Sequence, residues 1–450
     1  EIPIGGDLDV VVAGGGTAGF VAAIAAARNG ARTLVLERAG FLGGHIAGQL
    51  LEHSAGFHDA KGTQIVGGIP AEVVRRLKEL GASPGFVRDD TGYTKTRVPI
   101  LHEEFKSLVP LLFMEAGVEF LVHSPVVKVI TEDTTVQTVI VENKSGRQAY
   151  RAKTFVDCTG DADIAALAGV GFQKGRQDDG LTQPVSLLFK LGGINFDQLL
   201  DYVEEAPHDF RLGVSPKSLR GEDYVNLWGF RTLLEKGHSA GVLSLARKEM
   251  HFSGWVRTGE GVINVTRAQA DGTDACSLSK AEAILRRQVL EFVRFFRQFV
   301  PGCEHAYLAA SASSVGVRET RRIQGLYQLS DEDVRKGRRF EDAIAQGGFP
   351  IDSHDPLGNS MEAAENVPTA FDIPYRCLVP AEIDGLLVAG RSISAERKAL
   401  ASARVTATCM AMGQAAGTAA ALCSLKRVSP RNLDIDELRS VLRAQEAILA

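Results

Sequence analysis

Two histidines and a cluster of arginines are the side chains of this chain best suited to proton transfer and anion binding. His354, in Asp352-Ser353-His354-Asp355-Pro356, and His251 carry imidazoles, whose ordinary pKa near neutrality suits taking or giving a proton at working pH. Arg318, Arg321 and Arg322 surround Glu319, and a planar guanidinium matches a carboxylate bidentately. The same residues are equally able to form an ion-pair network between domains, and a turn-borne His354 is equally able to be a solvated loop residue. From this group His354, Arg322 and His251 form the expected catalytic set. Asn264, Thr266 and Arg267 on an expected strand, and Tyr375 after Pro374, are further lining residues.

A different chemistry stands at the start of the chain. Asp9-Val10-Val11-Val12-Ala13 runs into Gly14-Gly15-Gly16-Thr17-Ala18-Gly19, and Thr33-Leu34-Val35-Leu36 ends in Glu37. This reads as strand, glycine turn, helix and second strand. Gly14 permits the tight turn, Gly16 lets a pyrophosphate approach the backbone, and Gly19 lets the helix lie close on the sheet. The helix N-terminus offers unpaired N–H groups and partial positive charge to phosphates. Glu37 stands where an acid takes both hydroxyls of an adenosine ribose and repels a 2'-phosphate. The alanine-rich stretch from Thr17 to Asn29 is helical in pattern, and Gly30 is placed to end it. A dinucleotide is therefore expected here, its identity left open by the motif alone.

With 450 residues, 45% apolar and 23% charged, the chain has the composition of a soluble globular protein of two or three domains. A net charge of −5 gives no general attraction to nucleic acid, and Arg335-Lys336-Gly337-Arg338-Arg339 is interleaved with acids. The six cysteines are scattered without metal-ligand spacing, which points to a reduced, cytoplasmic protein without a metal. The N-terminus has no signal-peptide pattern. Val405 to Leu425 is uncharged and near the length of a membrane span, but its threonines, glycines and alanines argue for a helix buried inside the protein, so no transmembrane segment is expected.

The order of elements predicts an α/β fold: a Rossmann-type dinucleotide-binding domain with an inserted α+β substrate (cap) domain. Residues 1–170 form its first part, 171–370 the cap and 371–450 the returning C-terminal part. In the cap, strands are expected at Val185 to Leu191 and Gly261 to Val265. A long helix follows, opened by a capping box at Ser279-Lys280-Ala281-Glu282 and closed before Pro301. Gly385 to Arg391 reads as a buried strand ending in glycine, and a small-residue helix begins near Arg404. No second glycine turn follows a strand and no redox cysteine pair is present, unlike pyridine-nucleotide disulfide reductases.

The ordered set of motifs resembles the FAD-dependent oxidoreductase family of glutathione-reductase-like two-domain flavoproteins, with distant similarity to the succinate dehydrogenase and fumarate reductase flavoprotein. The motifs are Gly14 to Gly19, Gly40 to Gly44, Thr159-Gly160-Asp161, Arg318-Glu319-Thr320-Arg321-Arg322-Ile323, and Ala389 to Gly417. The resemblance implies FAD held by Gly14, Gly16, Thr17, Ala18, Gly19, Glu37 and Arg38, with Gly43 and Gly44 near the pyrophosphate or flavin and Val127 giving backbone contact to adenine. It also implies Thr159, Gly160 and Asp161 at the sheet edge, Gly390 and Arg391 near the ribityl chain, and Arg404 and Val405 opening a helix aimed at the flavin. A histidine behind the glycine pair, here His45, is the position from which related flavoproteins bind the flavin covalently; simple packing of His45 is the plainer alternative.

The expected function is an FAD-dependent dehydrogenase or oxidase that takes a hydride from a small polar metabolite, with His354 assisting proton removal. Its electron acceptor, whether oxygen, a quinone or a protein, is open, as is assembly into a homo-oligomer. Two rivals remain: reduction of an activated double bond with an arginine as acid, and a flavin-binding subunit without turnover. A monooxygenase is disfavoured, because the middle segment lacks an Asp-Gly hydroxylase signature.

Overall fold

The computed structural model describes residues 2–357 and 361–450. Among these residues seven strands make one sheet. Its centre is the apolar strand Ile4–Ala13, flanked in parallel by Thr33–Leu36 and by the long strand Gly146–Asp157. Gly146–Asp157 serves three neighbours. Its first half pairs antiparallel with Thr135–Asn143, and its last residues, Phe155 to Asp157, pair in parallel with Leu386–Val388. The C-terminal strand therefore closes onto the opening sheet, as the repeated strand-glycine pattern predicts.

The reason that the tail docks so closely lies in its small residues. The helix Thr406–Lys426 crosses the helix Thr17–Arg28, and both are alanine-rich. A Cβ on Gly413 would stand 2.2 Å from the Ala18 carbonyl oxygen, and one on Gly417 1.9 Å from that of Ala22. The two backbones touch, which larger residues would forbid. The apolar stretch from Val405 is thus a helix packed inside the protein, and no helix among the described residues is long and apolar enough to cross a membrane.

A second, antiparallel sheet has the order Phe210–Arg211, Tyr224–Gly229, Met250–Trp255, Glu260–Asn264, Phe189–Gly192, Tyr307–Ser311. It has its own core, in which Phe230, Phe252, Phe292, Phe295 and Phe296 are fully buried. One expected strand is shifted by a residue, Glu260–Asn264 for Gly261 to Val265, and the other is shorter, Phe189–Gly192 for Val185 to Leu191, where Val185 and Ser186 make only isolated bridges.

The long helix is Ala275–Phe299, and its start corrects the expected capping box. Asp274 is the N-cap, accepting the Ser277 N–H at 2.6 Å, whereas Ser279 lies inside the first turns and donates its hydroxyl to the Ala275 carbonyl. The helix does stop before Pro301, which cannot donate the next backbone bond.

Candidate active site

The glycine turn is shaped as the motif requires. Gly14 has φ +90°, and a Cβ on Gly19 would fall 1.7 Å from the Gly14 carbonyl oxygen, so the helix lies directly against the turn. A Cβ on Gly16 would meet only the Gly44 Cα, at 3.7 Å, which leaves that backbone open to the cavity it lines. The helix Thr17–Arg28 has no side-chain cap and no acid in its first turn, so its N–H groups are free for an anion. Glu37 is buried, with one oxygen accepting the Gly15 N–H and the other the Ala39 N–H, both at 2.7 Å. Each oxygen keeps a lone pair for a hydroxyl.

A cavity of about 660 Å³ runs from this turn to the second sheet. One part is lined by Gly14, Gly16, Thr17, Ala18, Glu37, Arg38, Thr159, Gly160 and the loop Ser124, Pro125, Val126. Gly44, His45, Gly390, Arg391, Arg404 and Val405 line it too, and the far part includes Glu52, His53, Tyr93, Arg97, Ser186, Trp228, Arg247, His251, Asn264, Arg267, Arg318, Asp352 and His354. The volume is in the range of cofactor and ligand sites. The helix Thr406–Lys426 begins beside it, with Val405 as an N-cap that offers no side-chain acceptor.

Several expected residues serve the site from outside the cavity or not at all. Asp161 holds Arg391 at 2.6 Å and accepts the Thr320 hydroxyl at 2.9 Å, so it positions a lining guanidinium. Gly19 and Gly43 are packing positions, the latter because a Cβ there would strike Phe105 at 2.5 Å. Val127 is exposed, and its neighbours up to Val126 line the cavity in its place. Arg322 is withdrawn from the catalytic set: it is buried outside the cavity, bound to Glu319 at 2.5 Å, and Arg397 holds the other Glu319 oxygen at 3.0 Å. Arg321 pairs with Asp163. Thr266 spends its hydroxyl on the Leu187 backbone, and Tyr375 donates to the Pro430 carbonyl.

His354 is on a strand, Ile351–His354, rather than in a solvated loop. It is buried, its Nε2 faces Asp352 Oδ1 at 3.5 Å, and its Nδ1 has no hydrogen-bond partner among the described residues. Burial, then the charges of Arg318, Arg267 and Arg404, push its pKa well below the ordinary value, so the imidazole is neutral at physiological pH. His251 is cross-strand neighbour to Trp228 on one side and Asn264 on the other, and its ring lies on that of Trp228 with centroids 4.3 Å apart. Burial and Arg97 also keep it neutral. His45 is the second residue of the short helix Gly44–Gly48; burial and then Arg391 bring it down to about 4.

The sequence reading missed Glu52, His53, Tyr93, Arg97 and Trp228. Two adjacent titratable residues, Glu52-His53, directly after Leu50-Leu51 were the one local signal available. Glu52 is 3% exposed, has an oxygen without a partner among the described residues, and is pushed by burial up to about 7. Arg97 is bound by Asp89, with Nη2 to Oδ2 at 3.1 Å, and fixes one wall of the cavity. No group of three or more potential metal ligands occurs among the described residues.

These features fit FAD on structural grounds: an open backbone cradle at Gly16, two uncapped helix N-termini, and a buried acid with spare acceptor capacity. Among solved structures, the fold is similar to a geranylgeranyl bacteriochlorophyll reductase-like protein of Thermoplasma acidophilum, at 12% identity and TM-score 0.48, covering 98% of this chain and 84% of that one. It is also similar to p-nitrophenol 4-monooxygenase of Pseudomonas putida, at 11% and 0.45, covering 97% and 81%, and to the flavin-dependent brominase Bmp2, at 12% and 0.45, covering 98% and 83%. No curated protein matches the sequence. The family described as FAD dependent oxidoreductase matches residues 9–442, and the chain therefore belongs to the FAD-dependent oxidoreductase family.

Proposed function

We propose that this enzyme oxidises a small polar metabolite, an alcohol or amine, with His354 as the base that receives the departing O–H or N–H proton. FAD, when bound, supplies the hydride acceptor. Gly14, Gly16, Thr17 and Glu37 hold its dinucleotide end, and Gly390, Arg391 and the helix N-terminus after Val405 serve its ring system. The observation that carries the reading is the Asp352–His354 pair. With Asp352 facing Nε2, the proton stays on that nitrogen and the neutral Nδ1, partnerless in the cavity wall, is the free acceptor. Residues 171–370 act as the cap over this site, between FAD-binding segments 1–170 and 371–450. Six unbridged cysteines, five of them buried, suit a reducing cytoplasmic setting.

Anaerobic mixing of the holoenzyme with a panel of alcohols, amines and enoates tests the reaction. Bleaching of the bound flavin by an alcohol or amine is expected. A flavin that dithionite bleaches but no alcohol or amine does overturns the reading in favour of double-bond reduction or a non-catalytic subunit.

His45 lines the same cavity as a neutral imidazole, the state in which its nitrogen is a nucleophile. A covalent link from it would replace one C–H bond of the flavin methyl group, the proton leaving and the two electrons passing to the flavin and on to the enzyme's electron acceptor; simple packing of His45 beside the flavin is the alternative reading. With the link, acid-precipitated protein keeps the flavin colour; colour wholly in the supernatant removes the link and leaves the binding turn unaffected.

A further inference from the structure

Arg267 and Arg318 converge on a single neutral atom. Arg267 Nη1 donates to Ser186 Oγ at 3.1 Å, and Arg318 Nη1 donates to the same oxygen at 2.5 Å. Their other acceptors are also neutral: Asn264 Oδ1 and the Thr266 carbonyl for Arg267, and the Pro184 carbonyl for Arg318. Arg404 follows the same pattern, donating to Gln183 Oε1 and the Asp352 carbonyl. Among the described residues none of the three guanidiniums is in an ion pair with a carboxylate, although Arg391, Arg397 and Arg322 nearby all are. Arg267 is 4% exposed and its Nε has no partner among the described residues.

The carboxylates that act on them at longer range are Asp352 on all three, Glu52, itself pushed up to about 7, on Arg267 and Arg318, and Glu319, already held by Arg322 and Arg397, on Arg404, which leaves an excess of buried positive charge that an anionic ligand would balance. Mutual repulsion is visible in their acidities: after burial, Arg318 is the largest influence lowering Arg267, and Arg404 the largest lowering Arg318. Guanidinium does not give up its proton at physiological pH, so the charge stays and awaits a partner. The phosphates of a dinucleotide are served elsewhere, at the Gly16 turn. We propose that Arg267, Arg318 and Arg404 form a carboxylate-binding subsite, and that the substrate of this enzyme is a carboxylic acid. This rests on the reading of the cavity as a substrate site. Such a subsite would hold the acid end of the substrate while His354, on the same strand as Asp352, takes the O–H or N–H proton and the adjacent carbon gives its hydride to the flavin.

Binding to the holoenzyme tests this without turnover. Calorimetric titration with acetate, malonate, citrate and benzoate is compared with the neutral amides acetamide, malonamide and benzamide. At least one acid is expected to bind roughly 10- to 100-fold more tightly than its amide, the span expected for charge-assisted hydrogen bonds. Arg318→Gln and Arg267→Gln weaken that acid by a similar factor with flavin content unchanged, and Arg318→Lys recovers part of it. Amides binding as well as acids, no acid binding at all, or acid affinity unchanged in both folded variants overturns the proposal. If the variants do not fold, the wild-type acid and amide comparison decides alone. Acid binding without flavin bleaching by any oxidisable acid would leave the subsite standing and remove the oxidation reading. Bleaching by neutral alcohols or amines alone would do the reverse.

Discussion

Glu52 shows how the cavity charges single residues. Its carboxyl is buried beside His53 with one oxygen unpartnered among the described residues, and burial pushes it up from the ordinary carboxylate range to about 7. Because the folded pKa is raised, the burial penalty is absent below the unfolded pKa and grows as pH rises toward 7. Glu52→Gln should therefore raise the melting temperature at pH 8, where the penalty is of order 3 kcal/mol. The gain should vanish by pH 4; melting curves of both proteins across this range check it, and an equal gain at both ends contradicts it. His354 has the opposite sign. Its pKa is depressed, so its neutral, proton-accepting form persists below the ordinary 6.5, and the acid limb of the rate profile should lie below that value.

Residue types were more legible than residue partnerships. His354, His251 and Arg267 were readable as chemistry, and the structure brings all three to one cavity. The grouping of Arg318 with Arg321 and Arg322 was not, because Arg321–Ile323 is a strand and successive side chains leave on opposite faces. Arg318 thus meets Arg267 and Arg404, from segments far apart in the chain, a neighbourhood that no local spacing records.

At the scale of elements, the helices that face the cofactor are held by backbone contact. Gly417→Val forces a side chain into the Ala22 carbonyl and should cost more than about 3 kcal/mol, above the usual range for overpacking. The displaced helix also starts at Thr406 beside the cavity, so flavin should be lost along with stability. Absorbance ratios of purified protein and thermal melts measure both; a variant as stable and as yellow as wild type contradicts the packing account. The opening strand-turn-helix was legible because each glycine answers a local steric demand. The Ser279 capping box was misread for the converse reason: the pattern fits any turn, and Asp274 had already started the helix.

The whole molecule brings its two ends together. Ile4–Ala13 opens the central sheet, and Leu386–Val388 joins it in parallel across Gly146–Asp157. The repeat of strand and glycine at both ends made that closure readable. The inner face of the second sheet, where Trp228, His251 and Asn264 stand in cross-strand register, was not, since register depends on pairings between distant segments. Joined at one cavity, the two sheets set a cofactor cradle against a wall of neutral imidazoles and charged guanidiniums. The most direct test is the anaerobic rate of flavin bleaching by an oxidisable hydroxy or amino acid, compared between wild type and His354→Ala with equal flavin content. Loss of the base should slow bleaching by roughly 10²- to 10⁴-fold; equal rates in the two proteins, or no bleaching by any such donor, would contradict the account.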